Sequence, residues 1–129
     1  MSRILAASVL FLAALSGTAA PPAQGPQARL DAYFQADFTD VPYQRAALQK
    51  VLKAWAAPRP LPAAGKKAVV VSTVQRDGTI TGTYLNMQSG HEAFDRAAAE
   101  ALTKASPLAP LPTSYPQSST EVHWHFSVK

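Results

Sequence analysis

The segment from Ala68 to Pro112 constrains the fold most, because two strand patterns and one helix pattern follow one another in it. Residues 68–76 and 79–87 are both rich in β-branched side chains, a composition typical of strands. Asp77-Gly78 lies between them, and this dipeptide readily supplies the positive φ angles of a two-residue hairpin turn. The segment therefore predicts an antiparallel hairpin.

A helix is predicted after the hairpin, over residues 91–105. Ser89-Gly90 breaks the second strand, and the apolar spacing then changes to helical. One face of this helix carries Phe94, Ala98, Ala101, Leu102 and Ala105. Pro107 ends it. Asp95 is expected to accept hydrogen bonds from free backbone N–H groups of the turn and the helix start.

An earlier helix and a last strand complete the periodic segments. Thr39 or Asp40 can cap a helix that Pro42 begins, and its apolar stripe is Leu48, Val51, Leu52 and Trp55. Residues 121–129 alternate strictly, which predicts a strand with one dry and one wet face. Its dry face carries Val122, Trp124, Phe126 and Val128, and its wet face carries Glu121, His123, His125 and Ser127.

Connection rules then give the topology. The hairpin pairs the first two strands, and the helix that follows allows the last strand to return beside the first, in spatial order 2-1-3. The predicted fold is α+β and two-layered: a three-stranded antiparallel sheet with two helices on one face, in chain order α-β-β-α-β. The last strand would then be an edge, with half of its main-chain groups free to accept a peptide strand.

The same signals, in the same order, resemble the C-terminal domain of the TonB and TolA family of periplasmic energy-transducing proteins. The residues that carry the resemblance are Asp77-Gly78 between the two strands, Ser89-Gly90 after them, and Phe94-Asp95 on a helix that ends in Ala105-Ser106-Pro107. The resemblance covers roughly residues 43–129. It implies a binding module without enzymatic activity or cofactor, which adds an extended segment of an outer-membrane receptor or other envelope protein to its last strand. Carried over, the contact residues are Val122, His123, Trp124, His125, Phe126, Ser127 and Val128. The resemblance also permits a homodimer.

The N-terminal residues predict export. Arg3 precedes an apolar run of about a dozen residues, and small residues follow it at positions 16–20. We therefore predict a signal peptide over 1–20, a linker with a partly packed segment over 21–40, and the domain over 41–129. A short helical turn is expected around residues 28–36. The chain has no cysteine, so its core alone must hold it together, and the family resemblance implies the periplasm.

Two chemical alternatives depend on the histidines. His123 and His125 share one strand face, where both could reach one metal ion, with His91 or Glu121 as a third ligand. This would make the chain a metal-binding exported protein. A weaker alternative is a catalytic set formed by Ser89, His91 and Asp95.

The positive charges are concentrated in one part of the chain. The net charge is +4, and residues 41–76 contain no acidic side chain. Such a run is usually a solvated face, but it could also bind an anionic envelope surface through Arg45, Lys50, Lys53, Lys66 and Lys67. Nucleic acid is not expected as a partner, because no series of stacking aromatic residues or known binding motif accompanies the charges.

Overall fold

A computed structural model describes residues 25–129, which form a four-stranded antiparallel sheet with two helices on one face. The elements in chain order are β1 (Ala28–Phe34), α1 (Val41–Ala54), β2 (Lys67–Gln75), β3 (Ile80–Met87), α2 (Glu92–Ala105) and β4 (Ser119–Val128). The predicted signal peptide lies outside the described residues. Within residues 25–129, no helix has the length and apolarity needed to cross a bilayer.

The α+β class, the two helices and the pairing of the three predicted strands are confirmed, but the sheet has four strands instead of three. The strand order is β1-β4-β2-β3, so the additional strand β1 lies outside β4. The helical turn expected at residues 28–36 is therefore wrong. Leu30, Ala32 and Phe34 alternate with Arg29, Asp31 and Tyr33, which is the period of a strand.

The hairpin turn between β2 and β3 has three residues, Arg76 to Gly78, and not the two that were predicted. Gln75 N donates to Thr79 O at 2.8 Å, and Gly78 N donates back to Gln75 O at 2.8 Å. Gly78 has a φ of 92°, as expected for the left-handed position that closes a three-residue hairpin loop. The Asp77 carboxylate accepts from Thr79 N at 2.9 Å, and this backbone bond lowers the pKa of Asp77.

Both helices begin at side-chain caps. Asp40 accepts from Tyr43 N at 2.9 Å at the start of α1, and Pro42 occupies the first turn, where a missing N–H costs nothing. His91 caps α2, its Nδ1 accepting from Phe94 N at 3.2 Å. The predicted capping role of Asp40 is thus confirmed.

The core lies between the helices and the sheet. All five residues predicted for the apolar face of α2 are buried, and so are Val122, Trp124, Phe126 and Val128 of β4. On α1, Val51 is fully buried while Leu52 is 41% exposed, so the predicted stripe was too wide. The helix ends at Ala54, and the Trp55 ring lies 4.9 Å from that of Phe126.

Candidate partner-binding edge

The last strand is not an edge of the sheet, and this prediction is wrong. Among the described residues, β4 pairs with β1 on one side and with β2 on the other. Its register with β1 is unbroken from Ala28↔Val128 to Phe34↔Val122. The main chain of Val122 to Val128 is therefore already paired, and a guest strand cannot reach it while β1 is in place.

The side chains of β4 point to two very different environments. Val122, Trp124, Phe126 and Val128 lie under the helices, where the Trp124 indole donates to Ser72 Oγ at 2.9 Å. A guest beside β4 would extend this buried face with its own alternate side chains, as β1 does. His123, His125 and Ser127 lie on the opposite face of the sheet, opposite Tyr33, Asp31 and Arg29 of β1. The structure thus places four of the seven predicted contact residues under the helices and three on the opposite face, where His123 and His125 are partly exposed and Ser127 is buried.

The hydrogen bonds at the strand ends show which β4 main-chain groups point toward β1. Gln27 and Lys129 exchange both backbone bonds at 2.9 Å, whereas Val128 N donates to Lys66 O on the β2 side. Directly opposed residues of an antiparallel pair alternate between bonded and non-bonded. The main-chain groups of Ser127, His125 and His123 therefore point toward β1. These are the groups that any strand at this position must satisfy.

Strand β1 is fixed firmly at its C-terminal end. The Gln35 side-chain oxygen accepts from Glu121 N at 2.9 Å and from Thr120 Oγ at 3.1 Å. Phe34 stacks on Phe38 with ring centroids 4.9 Å apart, and Phe38 is only 3% exposed. The segment that joins β1 to α1 is thus a secure attachment.

The body of β1 is held less deeply. Of its four residues on the helix face, only Leu30 is buried, at 7% exposure, while Ala28, Ala32 and Phe34 are partly exposed. Five of the nine residues of β2 are fully buried or nearly so in one continuous run, Ala68 to Ser72. Main-chain pairing therefore contributes a larger share of the attachment of β1 than of β2.

The opposite rim of the sheet is irregular. From Val69↔Met87 to Val70↔Leu85, one step along β2 matches two along β3, and a second shift follows between Val71 and Thr73. Such bulges twist an edge and interrupt its pairing pattern. The rim at β3 is consequently a poor template for another strand, whereas the β1 and β4 side is regular.

The open face beside β4 carries weakly basic and aromatic groups. His123 Nε2 lies 3.1 Å from Glu121 Oε1, and the His125 ring makes an edge contact with Tyr33 at 4.6 Å between centroids. Desolvation lowers the pKa of His125, and the positive charge of Lys67 adds to this effect. His125 is thus neutral over a wider pH range than a free histidine.

The metal and catalytic alternatives gain no support from the geometry. In the described part of the chain, no group of three or more His, Cys, Asp or Glu side chains is arranged to hold a metal ion. His91 caps α2 instead of approaching the β4 histidines. Asp95 accepts from Ser89 N at 3.0 Å, which confirms its predicted role at the turn.

The basic residues predicted to bind an anionic surface divide between α1 and the start of β2. Within residues 25–129, the ion pairs of Arg and Lys with carboxylates are Arg29 with Asp31 and Arg96 with Glu92, so none involves this basic set. Lys50 donates to the Pro107 carbonyl, and Arg76 donates to the carbonyls of Pro112 and Tyr115 at 3.0 and 2.6 Å. Arg76 therefore fixes the segment before β4.

Comparison with known families gives one match. Residues 41–126 match the family model described as TonB C terminal. Neither the search of curated proteins nor the search of solved structures gives a match. The matched range contains α1, β2, β3, α2 and nearly all of β4, but it excludes β1. The strand that covers β4 thus comes from outside the family domain.

Proposed function

The chain belongs to the TonB C-terminal family, and from this premise we propose that it is an exported binding module without enzymatic activity, which takes up an extended segment of another envelope protein. The segment binds by strand addition on the β1 and β4 side of the sheet. Main-chain hydrogen bonds supply the affinity, and alternate side chains supply the selectivity. On this side of the sheet, residues Val122 to Val128 of β4 form the strand with which an added strand pairs.

One observation carries the proposal: β4 already receives a seven-residue strand that lies outside the family domain. Strand β1 pairs with it without a register break, although residues 28–34 precede the matched range 41–126. Its alternate residues reach the helix face, where Leu30 is buried opposite Phe126. This side of the domain therefore has the geometry that strand addition requires.

The irregular pairing of β3 also favours the β1 and β4 side as the place where a guest strand binds. Gly82, in the middle of β3, has a φ of 60°, and the two register shifts break the strand into short stretches. A guest at β3 would find few consecutive main-chain groups in line. The resemblance to TonB and TolA makes outer-membrane receptors and other envelope proteins the expected sources of the guest segment.

Two exposed tyrosines on opposite rims allow a matched test. Tyr33 on β1 is 55% exposed and Tyr84 on β3 is 53% exposed, and each can be replaced by a photoreactive phenylalanine in the exported protein. Because Gln35 fixes the end of β1 on β4, a probe at Tyr33 stays beside this rim. We expect cross-links from position 33 to map to an extended segment of an envelope protein, and none from position 84.

The opposite pattern would place the guest on β3, and the proposed side would be wrong. Cross-links from position 33 that map only to folded regions of the captured protein would also contradict strand addition. The total protein level and the circular dichroism spectrum of both variants must match those of the unmodified chain, so that a missing cross-link cannot result from misfolding.

A further inference from the structure

We infer that β1 is a built-in competitor, which occupies the peptide site along β4 and must leave before a partner segment can bind. This inference rests on the proposed function and deepens it, because it states both the kind of segment that binds and the event that controls binding. The alternative within the same function is addition of the guest to the outer edge of β1, which no other strand covers among residues 25–129. The two modes differ in which main-chain groups pair.

The placement of β1 supports the competitor role. Without β1, the main-chain groups of His123, His125 and Ser127 that point toward it would have no partner strand. A row of unpaired main-chain N–H and C=O groups at a sheet edge promotes uncontrolled pairing with other strands. Strand β1 closes the row with a segment of the same chain.

The shallow packing of β1 makes an exchange feasible. Most of what holds the strand is main-chain pairing, which any extended guest reproduces, and Leu30 is its one buried side chain. The attachment at Gln35 and Phe38 survives the departure of residues 28–34, because Gln35 and Phe38 contact other elements through their own side chains. The exchange therefore needs no unfolding of α1 or of the remaining sheet.

The positions on β1 also define the partner segment. It must run antiparallel to β4, and it must offer main-chain N–H groups at the places of Arg29, Asp31 and Tyr33, so proline is excluded there. Apolar residues are required at the places of Leu30 and Phe34. The partner class is thus an extended peptide with apolar residues at alternate positions. It is about seven residues long, the length of β1.

The apparent affinity for such a peptide depends on how often β1 is away. When the binding-competent state is only a fraction of the population, the apparent Kd is the intrinsic Kd divided by that fraction. Weakening β1 therefore tightens binding, and locking β1 abolishes it. A change in β1 that does not affect its attachment leaves the affinity unchanged.

The test uses the full chain and a fluorescent synthetic peptide with the sequence of residues 26–35. A disulfide that locks β1 onto β4 is introduced by combining Arg29→Cys with Ser127→Cys. These two positions are directly opposed, and the chain has no native cysteine. The Cα separation of about 5.5 Å in such pairs suits a disulfide. Fluorescence anisotropy is expected to show binding to the reduced protein and none to the oxidised protein, which are chemically identical apart from the lock.

Two further comparisons test the mechanism independently. Leu30→Ala is expected to lower the apparent Kd at least tenfold, whereas Arg29→Ala, whose exposed side chain pairs with Asp31 of β1 itself, changes it less than threefold. A peptide N-methylated at the position of Asp31 is expected not to bind, because that N–H faces β4. A peptide N-methylated at the position of Ala32, whose N–H faces away from β4, is expected to bind normally.

Each contrary result has a distinct meaning. Equal binding to the oxidised and reduced proteins would show addition to the outer edge of β1, which overturns the inference and leaves the proposed function standing. No binding to the wild type, the reduced protein or Leu30→Ala at 1 mM peptide, a threshold of about −4.1 kcal/mol, would show that β1 is permanent. A dimer of Leu30→Ala that resists the peptide would identify a second copy as the occupant and refute the partner class. Failure of the proposed function itself would appear instead as the absence of cross-links from position 33.

Discussion

Replacement of Gly78 by alanine is predicted to be among the most damaging single-methyl changes in the domain. Gly78 has a φ of 92°, and a Cβ atom there would lie 2.0 Å from the Leu108 carbonyl oxygen and 2.8 Å from that of Ala109. Both contacts are with backbone atoms, which cannot rotate away. The segment after α2 must therefore move when the methyl group is added.

The cost follows from three losses. A left-handed conformation costs an L-residue about 1–2 kcal/mol. Moving the segment breaks the bond from Leu108 N to Gly78 O, which is 2.8 Å long and contributes about 1 kcal/mol. It also exposes part of the Leu108 side chain, now 4% exposed, whose full burial stabilises by about 1.5–3 kcal/mol. We expect Gly78→Ala to lower the free energy of unfolding by about 3–6 kcal/mol, a large part of the 5–15 kcal/mol typical of a domain.

Gly65→Ala is the matched control. Gly65 has a similar φ of 100°, but no atom lies within 4 Å of its added Cβ, so only the conformational cost of about 1–2 kcal/mol applies. Thermal unfolding followed by circular dichroism should place Tm of Gly78→Ala at least about 10 °C below that of Gly65→Ala, at 4–8 °C per kcal/mol. Equal Tm values for the two variants would refute the close contact between the hairpin turn and the segment after α2.

Three further predictions concern hydrogen bonding and pH. Ser72→Ala removes the acceptor of the buried Trp124 indole and should lower the unfolding free energy by about 1–3 kcal/mol in urea titrations; an unchanged midpoint would contradict this. Asp95→Ala leaves Ser89 N without its acceptor and should cost about 1–3 kcal/mol, with Asp95→Asn less affected. Since burial lowers the pKa of His125 in the folded protein, the unfolded chain binds the proton first as the pH falls through about 6.5, so stability should decrease there. His125→Gln should flatten this part of the pH profile of Tm, and an unchanged slope would refute the assignment.

The hairpin, α2 and β4 could be predicted from the sequence because each has a local signal. The β-branched runs on either side of Asp77-Gly78 indicate two strands. The strict alternation from Val122 to Val128 has the period of a third. The pairing of the last strand with the first strand of the hairpin followed from connection rules and is confirmed. Local sequence therefore determined three strands, two helices and their relative order.

Strand β1 was missed because its pattern is short and ambiguous. Alanine occupies two of the four positions on its helix face, and alanine favours helices as an isolated residue. The aromatic pair Tyr33-Phe34 also places large side chains on both faces. The segment is a strand because it pairs with the main-chain groups of β4 that would otherwise have no partner. This is a tertiary contact, and the local sequence around residue 30 does not encode it. The prediction that β4 is an edge strand is wrong for the same reason, because β1 pairs with its outer side.

The role of β4 in this chain depends on the residues that precede the family domain. Without β1, β4 would lie at the rim of the sheet, as the sequence predicts, whereas β1 precedes the family domain and covers that rim in the structure. Main-chain pairing can bind a foreign segment and a segment of the same chain equally well, so the family domain does not by itself determine whether the site is open. If β1 competes with a partner strand as we propose, Ala28 and Ala32 contribute to function, because their small side chains bury little apolar surface and a partner with larger apolar residues there would pack better.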